Sequence, residues 1–267
     1  MLINPYIYGV SYDTDAQAFI TATGITDTTQ INAINTLVLD LKSYGIWSKM
    51  KALYPFVGGT ATTHKYNLKD PRDLDVAFRL QFVNGWTHSS NGVVPNGTDA
   101  YADTKLSPTT TLTSNNHFSF YNNGTSSNAE TSIDIGCGDG NITYSAELYL
   151  WTYREDNTMK YDNCSSSNNR VSSTTTSNGF SVGSRISNTS QKIYKNGTLL
   201  ANNSNVNVTQ LPYQPTYIGA GNINGASQFY STKRSSFASI GDGLTDTEVT
   251  NLYTAIQAYQ TTLGRQV

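Results

Sequence analysis

Ser236-Phe237-Ala238-Ser239-Ile240-Gly241-Asp242-Gly243-Leu244-Thr245-Asp246-Thr247-Glu248 carries the chain from a strand pattern into a helix start. Residues 235–240 read as a short β-strand closed by glycines. Thr245 and Glu248 then have the spacing of a capping box. In that motif the threonine hydroxyl accepts from the amide three residues on, and the glutamate reaches back to the cap's own amide. Val249, Leu252, Tyr253, Ile256 and Leu263 follow on one helical stripe, and Gly264 fits the left-handed position past the helix end.

Upstream of this stretch the period is that of strands and tight turns. Lys192-Ile193-Tyr194-Lys195-Asn196-Gly197-Thr198-Leu199-Leu200 reads as a hairpin turning on Asn196-Gly197. Asn84-Gly85, Asn91-Gly92, Asn96-Gly97, Asn123-Gly124, Asp139-Gly140, Asn178-Gly179 and Asn224-Gly225 punctuate the chain in the same way. Between them lie strand candidates at 117–121, 132–136, 145–153, 179–185, 191–194, 216–219 and 235–240. Val76, Phe78, Leu80 and Phe82 alternate with polar or small residues and predict one more, half-buried strand. Many short strands with turn chemistry predict a mainly β fold, an antiparallel β-sandwich. The Ser/Asn/Thr-rich stretch 163–177 reads as a long exposed loop.

The N-terminal part differs. Asp27 can cap a helix with Gln30 in the capping-box position, and Ile31, Ile34, Leu37, Val38 and Leu41 share a stripe that Gly45 stops. A shorter helix is expected from Thr14, another over Trp47–Tyr54, and a helix start with Asp70 as cap before Pro71. The expected division is a helical anchoring segment, 1–60, and a sandwich, 61–267, that includes a C-terminal helix over 245–263.

The chain has 267 residues, 13% of them charged, with a formal net charge of −2. That balance offers no electrostatic footprint for nucleic acid, and no apolar run is long enough for membrane insertion. The N-terminus shows no basic and apolar secretory pattern. Cys137 and Cys164 form no metal-ligand spacing and read as thiols, with a disulfide allowed but not required.

The 192–200 hairpin and the 236–253 segment, in that order, resemble the hairpin, last strand and helix entry of LamG-like, concanavalin A-like jelly rolls. Ala52–Gly59, His64–Pro71, Gly85–Ser89 and Pro95–Thr98 resemble modules of bacteriophage structural proteins, in tail fibres, tail tips and capsid-decorating fibres. The resemblance implies a jelly-roll sandwich whose end the capped helix covers. It implies a non-catalytic virion protein, assembled in the host cytoplasm and exposed on the particle. Other virion proteins would be its partners, with homo-oligomers and attachment to a host-surface glycan. The alternatives are a carbohydrate-binding lectin outside a virion and a glycan-degrading enzyme.

The enzyme needs a carboxylate pair across a sugar, and the ExDxE pattern of glycosidases in this superfamily is absent from the sequence. Arg154-Glu155-Asp156 reads as a polar turn. Sugar binding calls for aromatic platforms beside polar donors, and Trp86, His88, Tyr101 and Tyr161 are the candidates. Trp151 is expected to be packing. Domains of the LamG type often bind calcium, and clustered oxygens at Asp134, Asp139 and Asn141 near a tight turn are the candidate Ca²⁺ ligands.

Overall fold

The computed structural model describes residues 11–124, 131–140, 146–163, 169–208 and 210–267. Helices α1 (Thr14–Thr23) and α2 (Thr28–Ser43) lead into strand β1 (Met50–Tyr54) and the one-turn helix α3 (Ala61–His64). Strands β2 (Gln81–Val83), β3 (Trp86–Ser89), β4 (Gly92–Pro95) and β5 (Tyr101–Asp103) follow, then a second single turn, α4 (Pro108–Thr111). The central strands are β6 (Asn116–Asn122), β7 (Ile135–Gly138), β8 (Glu147–Trp151), β9 (Thr158–Asn163), β10 (Val171–Thr174), β11 (Gly179–Ser187), β12 (Ser190–Lys195) and β13 (Thr198–Asn203). The chain closes with β14 (Tyr217–Ile218), β15 (Gly221–Ile223), β16 (Ala226–Gln228), β17 (Ser235–Asp242) and helix α5 (Asp246–Thr262).

The strands form two sheets. The first runs β13-β12-β11-β6-β17-β4-β3, with β1 also on β17; the second runs β10-β9-β8-β7-β14-β5-β2, with β15 and β16 attached. Pairing is antiparallel except between β15 and β7. The expected mainly β, antiparallel sandwich is therefore present. Alternation along β17 shows how it is built: Ala238 and Ile240 enter the core between the sheets, while Phe237 enters a second core under the helices. Strand β6 does the same with Phe118 and Phe120 on one side and Tyr121 on the other.

The capping box at α5 is complete: Thr245 accepts from Glu248 N at 3.3 Å, and Glu248 Oε2 accepts from Thr245 N at 2.8 Å. Thr245→Ala is expected to cost about 1 kcal/mol, read as a shift in the denaturant midpoint; no shift would show that packing alone starts this helix. The stripe of α5 lies with α2 across the outer face of the first sheet, against Phe180, Val182 and Phe237, rather than over an end of the sandwich. Those outward apolar residues need a cover along the whole face, and a helix stripe supplies it.

Several local expectations change. Asp27 caps α2 as expected, but Gln30 turns away from the reciprocal bond and accepts from Gly58 N at 2.8 Å. Trp47–Tyr54 is not a helix. A 3₁₀ turn, Trp47–Lys49, ends in β1, which pairs Ala52 with Ile240 and Tyr54 with Ala238. A strand buried on both faces is a short apolar run, which periodicity cannot tell from a helix. The division at residue 60 does not match the packing, because β1 belongs to the first sheet and α1 and α2 share the core under α5.

The strand expected from Val76 begins only at Gln81. Phe78 takes a left-handed φ of 58° after a 3₁₀ turn, which breaks the alternation and leaves Val76 73% exposed. No helix follows Pro71; Asp70 instead pairs with Arg72 at 2.5 Å. Part of the expected 163–177 loop is strand β10. Among the described residues no helix is long and apolar enough to cross a membrane.

Candidate functional site

The turn at Asn84-Gly85 carries the chain from β2, an edge of the second sheet, to β3, an edge of the first. Asn84 adopts φ 61°, the left-handed geometry its side chain tolerates. The crossing brings aromatic rings from both sheets together. Phe82 meets Trp86 edge-on at 5.2 Å and His88 edge-on at 4.6 Å. His88 in turn meets His64 of α3, with Nδ1 to Nδ1 at 2.9 Å, and His64 meets Phe56 at 5.8 Å. Trp86 is fixed from behind: its Nε1 donates to Tyr101 O at 3.2 Å, and its ring covers Gly219, where a Cβ would approach it to 2.8 Å.

In front of this aromatic group lies a cleft of about 410 Å³. Ala61, Thr62 and Lys65 line one side, and Arg79, Leu80, Gln81 and Phe82 the other. The two cations are held by one carboxylate: Asp73 accepts from Lys65 Nζ at 2.5 Å and from Arg79 at 2.8 Å. The hydrogen bond from Lys65, then that from Arg79, keeps the Asp73 carboxyl below its ordinary range. Asp75 accepts from Arg79 Nε at 2.9 Å and braces the same arm. The network fixes the donors while leaving N–H groups of Lys65 and Arg79 for a ligand.

Behind the cleft the histidines are neutral at neutral pH. Burial pushes His64 down to about 3, with His88 and Arg265 adding to the effect. Burial also lowers His88. One imidazole must then donate across the 2.9 Å contact and the other accept. The Nε2 atom of His64 is buried without a partner among the described residues.

The residues expected at a sugar site separate. Trp86 and His88 brace the cleft wall. Tyr101 is half-buried on the second sheet and stacks on Tyr217 at 4.4 Å, joined to Trp86 only through its carbonyl. Tyr161 is not a surface residue. Alternation along β9 sends Met159 and Tyr161 into the sandwich core, and the Tyr161 hydroxyl donates to Asn116 Oδ1 at 2.6 Å. Trp151 is packing, as expected: it is buried with Ile133 and Tyr149, and the guanidinium groups of Arg154 and Arg170 lie 5.9 and 5.1 Å from its ring.

The calcium expectation fails at Asp134, which is fully buried and committed to its own chain. Its Oδ1 accepts from Ser231 at 2.8 Å and Lys233 at 3.0 Å, and its Oδ2 from the amide and hydroxyl of Thr152 at 2.7 and 2.8 Å. Asp139 accepts from Tyr213 N at 3.1 Å, and burial raises its pKa. Asn141 lies outside the described residues, as does Cys164; Cys137 is buried, with its Sγ 3.5 Å from Thr216 Oγ1. Among the described residues no group of three metal-ligating side chains is present.

Phe82, Arg79, Lys65 and Thr62 were not singled out from the sequence. Pairing of Asp73 and Asp75 with Arg79 is open to the sequence and is present at 2.8 and 2.9 Å, but the regular strand read through Phe78 hid the cleft beside them.

No family model and no curated protein matches the sequence. Among solved structures, a Trypanosoma rangeli sialidase mutant displaying trans-sialidase activity aligns with a TM-score of 0.54 at 13% identity, over 86% of this chain and 39% of that one. The chain thus spans about two fifths of the length of that sialidase. Domain 4 of an extracellular GH43 arabinanase from Geobacillus stearothermophilus, solved with arabinotriose, aligns with a TM-score of 0.46 at 13% identity, over 76% of this chain and 98% of that domain. At this identity the sialidase likeness is one of fold, that of a β-sandwich chain.

Proposed function

We propose that this chain is a non-catalytic carbohydrate-binding module that takes a saccharide in the cleft between α3 and β2. The cleft itself carries the reading. Its volume, about 410 Å³, is within the range of small-ligand sites. It pairs an aromatic wall, Phe82, with fixed donors at Lys65 and Arg79 and an amide at Gln81, the combination that grips the apolar face and the hydroxyls of a sugar. None of its lining residues is a carboxylate, whereas glycoside hydrolysis uses two.

A glycan array read with wild type and Phe82→Ala tests the proposal. The expected result is retention of a defined glycan class, and a loss of about tenfold or more in affinity in the variant, the effect typical of truncating a central aromatic anchor. Absence of any retained glycan, or unchanged binding by Phe82→Ala, would refute it. Polysaccharide turnover abolished by an acidic substitution would point to the enzyme instead.

The second reading places this module on a phage particle as an oligomeric surface component. The observation that favours it is where the four phage-like stretches lie. Phe56 meets His64, His64 meets His88, and Gly59 lies against Ser89 and Ser90. Gly85 lies against Asn96. These stretches thus contribute Lys65 to the cleft lining, and Trp86, His88 and His64 to the ring cluster behind Phe82. Labelling the chain within intact particles tests this; its absence from them would remove the virion reading and leave the lectin.

A further inference from the structure

The cleft does not end at α3. Thr62 lines it, but Thr63, one residue on and about 100° around the helix, lines a second cleft of about 210 Å³ with Thr26, Asp27, Gln30 and Gly58. Asp27 and Gln30 also line a third, of about 150 Å³, with Thr29, Ser90 and Thr262. The second and third clefts therefore share a boundary. Only one turn of helix, about 10 Å across, stands between the first and the second.

The saddle between them is firmly built. Gly58, at φ 85°, lies so close to Thr63 that a Cβ would come within 2.6 Å of its hydroxyl. Thr60 and Thr63 cap the turn reciprocally. Gln30 accepts from Gly58 N at 2.8 Å, which leaves its amide nitrogen as a donor at the junction of the two smaller clefts.

We infer that the three clefts form one groove, and that its ligand is an extended oligosaccharide lying across α3 rather than a single terminal sugar. The inference rests on the carbohydrate-binding reading. The chemistry along the groove favours a glycan over a peptide. Beyond the aromatic wall the polar lining is hydroxyl and amide, from Thr26, Thr29, Gln30, Thr63, Ser90 and Thr262, with the Asp27 carboxylate between the two smaller clefts and Ile25, Val57 and Leu263 as apolar patches. Such groups match a row of sugar hydroxyls, and neither smaller cleft has the volume of an ordinary ligand pocket that would seat a large apolar side chain.

Affinity should then depend on chain length. Monomer-to-hexamer series of the sugars retained on the array, with chitin and cellulose oligomers as starting probes, would be titrated into wild type, Thr26→Arg and Thr29→Arg. Both threonines are exposed, and replacing them leaves the first cleft intact. The expected result is a gain of about tenfold or more from the shortest bound oligomer to the hexamer. Each arginine variant should lose that gain while binding the short oligomer as wild type does. Length-independent affinity, hexamer binding unchanged in both variants, or binding of unstructured peptides in place of oligomers would overturn the groove. A short sugar that still binds through Phe82 would leave the single-cleft reading standing, so the two failures are distinguishable.

Discussion

Lys233→Met is expected to lower the stability of the fold by about 3–5 kcal/mol, the cost of leaving a buried charge without its partner. The side chains of Lys233 and Asp134 are 1% and 0% exposed, and their charged atoms meet at 3.0 Å. Lys233 also donates to Ser132 at 2.9 Å. Removing the ammonium group leaves the Asp134 carboxylate with only neutral donors, from Ser231 and Thr152. A second buried amine lies within its field. Lys195, which donates to Ser177 and Ser181, is brought by burial to about 7, with Asp134 opposing the shift and Lys233 adding to it. The double variant Asp134→Leu/Lys233→Met should regain part of the loss, since a well-packed apolar pair replaces a desolvated one. Chemical denaturation with an unchanged slope would read both effects. A single-variant loss below about 1 kcal/mol would show that the pair is hydrated in solution.

The same pair shows what the sequence could and could not disclose. Asp134 stands in a glycine-rich turn beside Asp139, a local pattern that suits calcium. Its partner lies 99 residues away and has no local signature. Features governed by neighbours in the chain were legible: the Thr245–Glu248 cap, the α2 stripe, the Asn196-Gly197 hairpin and most strand positions, whereas Asn84-Gly85 reads as a hairpin turn and instead crosses from one sheet to the other. Features set by tertiary contact were not. Strand β1 reads as a helix because both of its faces are buried. Tyr161 reads as available because nothing local says which face of β9 points inward. The loop through Phe78 reads as strand because a period of two carries no sign of the left-handed φ of Phe78, even though the pairing of Asp73 and Asp75 with Arg79 is open to the sequence. Trp86 and His88 were legible as a pair on one strand, but the cleft they brace needed Phe82 and α3 brought from elsewhere.

Acid should unfold the protein through its histidines. The chain has three, and all are shifted the same way: burial takes His64 to about 3 and His117 to about 4, and lowers His88. His117 sits under α5, its Nδ1 2.7 Å from Asp242 O and its Nε2 3.1 Å from Ser239 Oγ. A depressed folded-state value means that the unfolded chain binds protons first, beginning near its ordinary value of about 6.5. Stability is therefore full above that pH and falls as the solution is acidified toward the folded values. Near pH 5 the unfolded state holds about two more protons at His64 and His117 than the folded state, so stability should fall by about 2–3 kcal/mol per pH unit. Carboxylates held low by cations, such as Asp73 and Asp156, lose their share only below their ordinary value of 3.8, so they do not contribute in this window. Unfolding free energies measured at half-unit steps from pH 7 to 4.5 would show the slope, and a flat profile down to pH 5 would refute it. Because His64 and His88 stand behind Phe82, the cleft wall lies inside the region that acid loosens. Saccharide affinity should weaken over the same interval, ahead of global unfolding if His88, the more exposed of the two rings, takes the first proton.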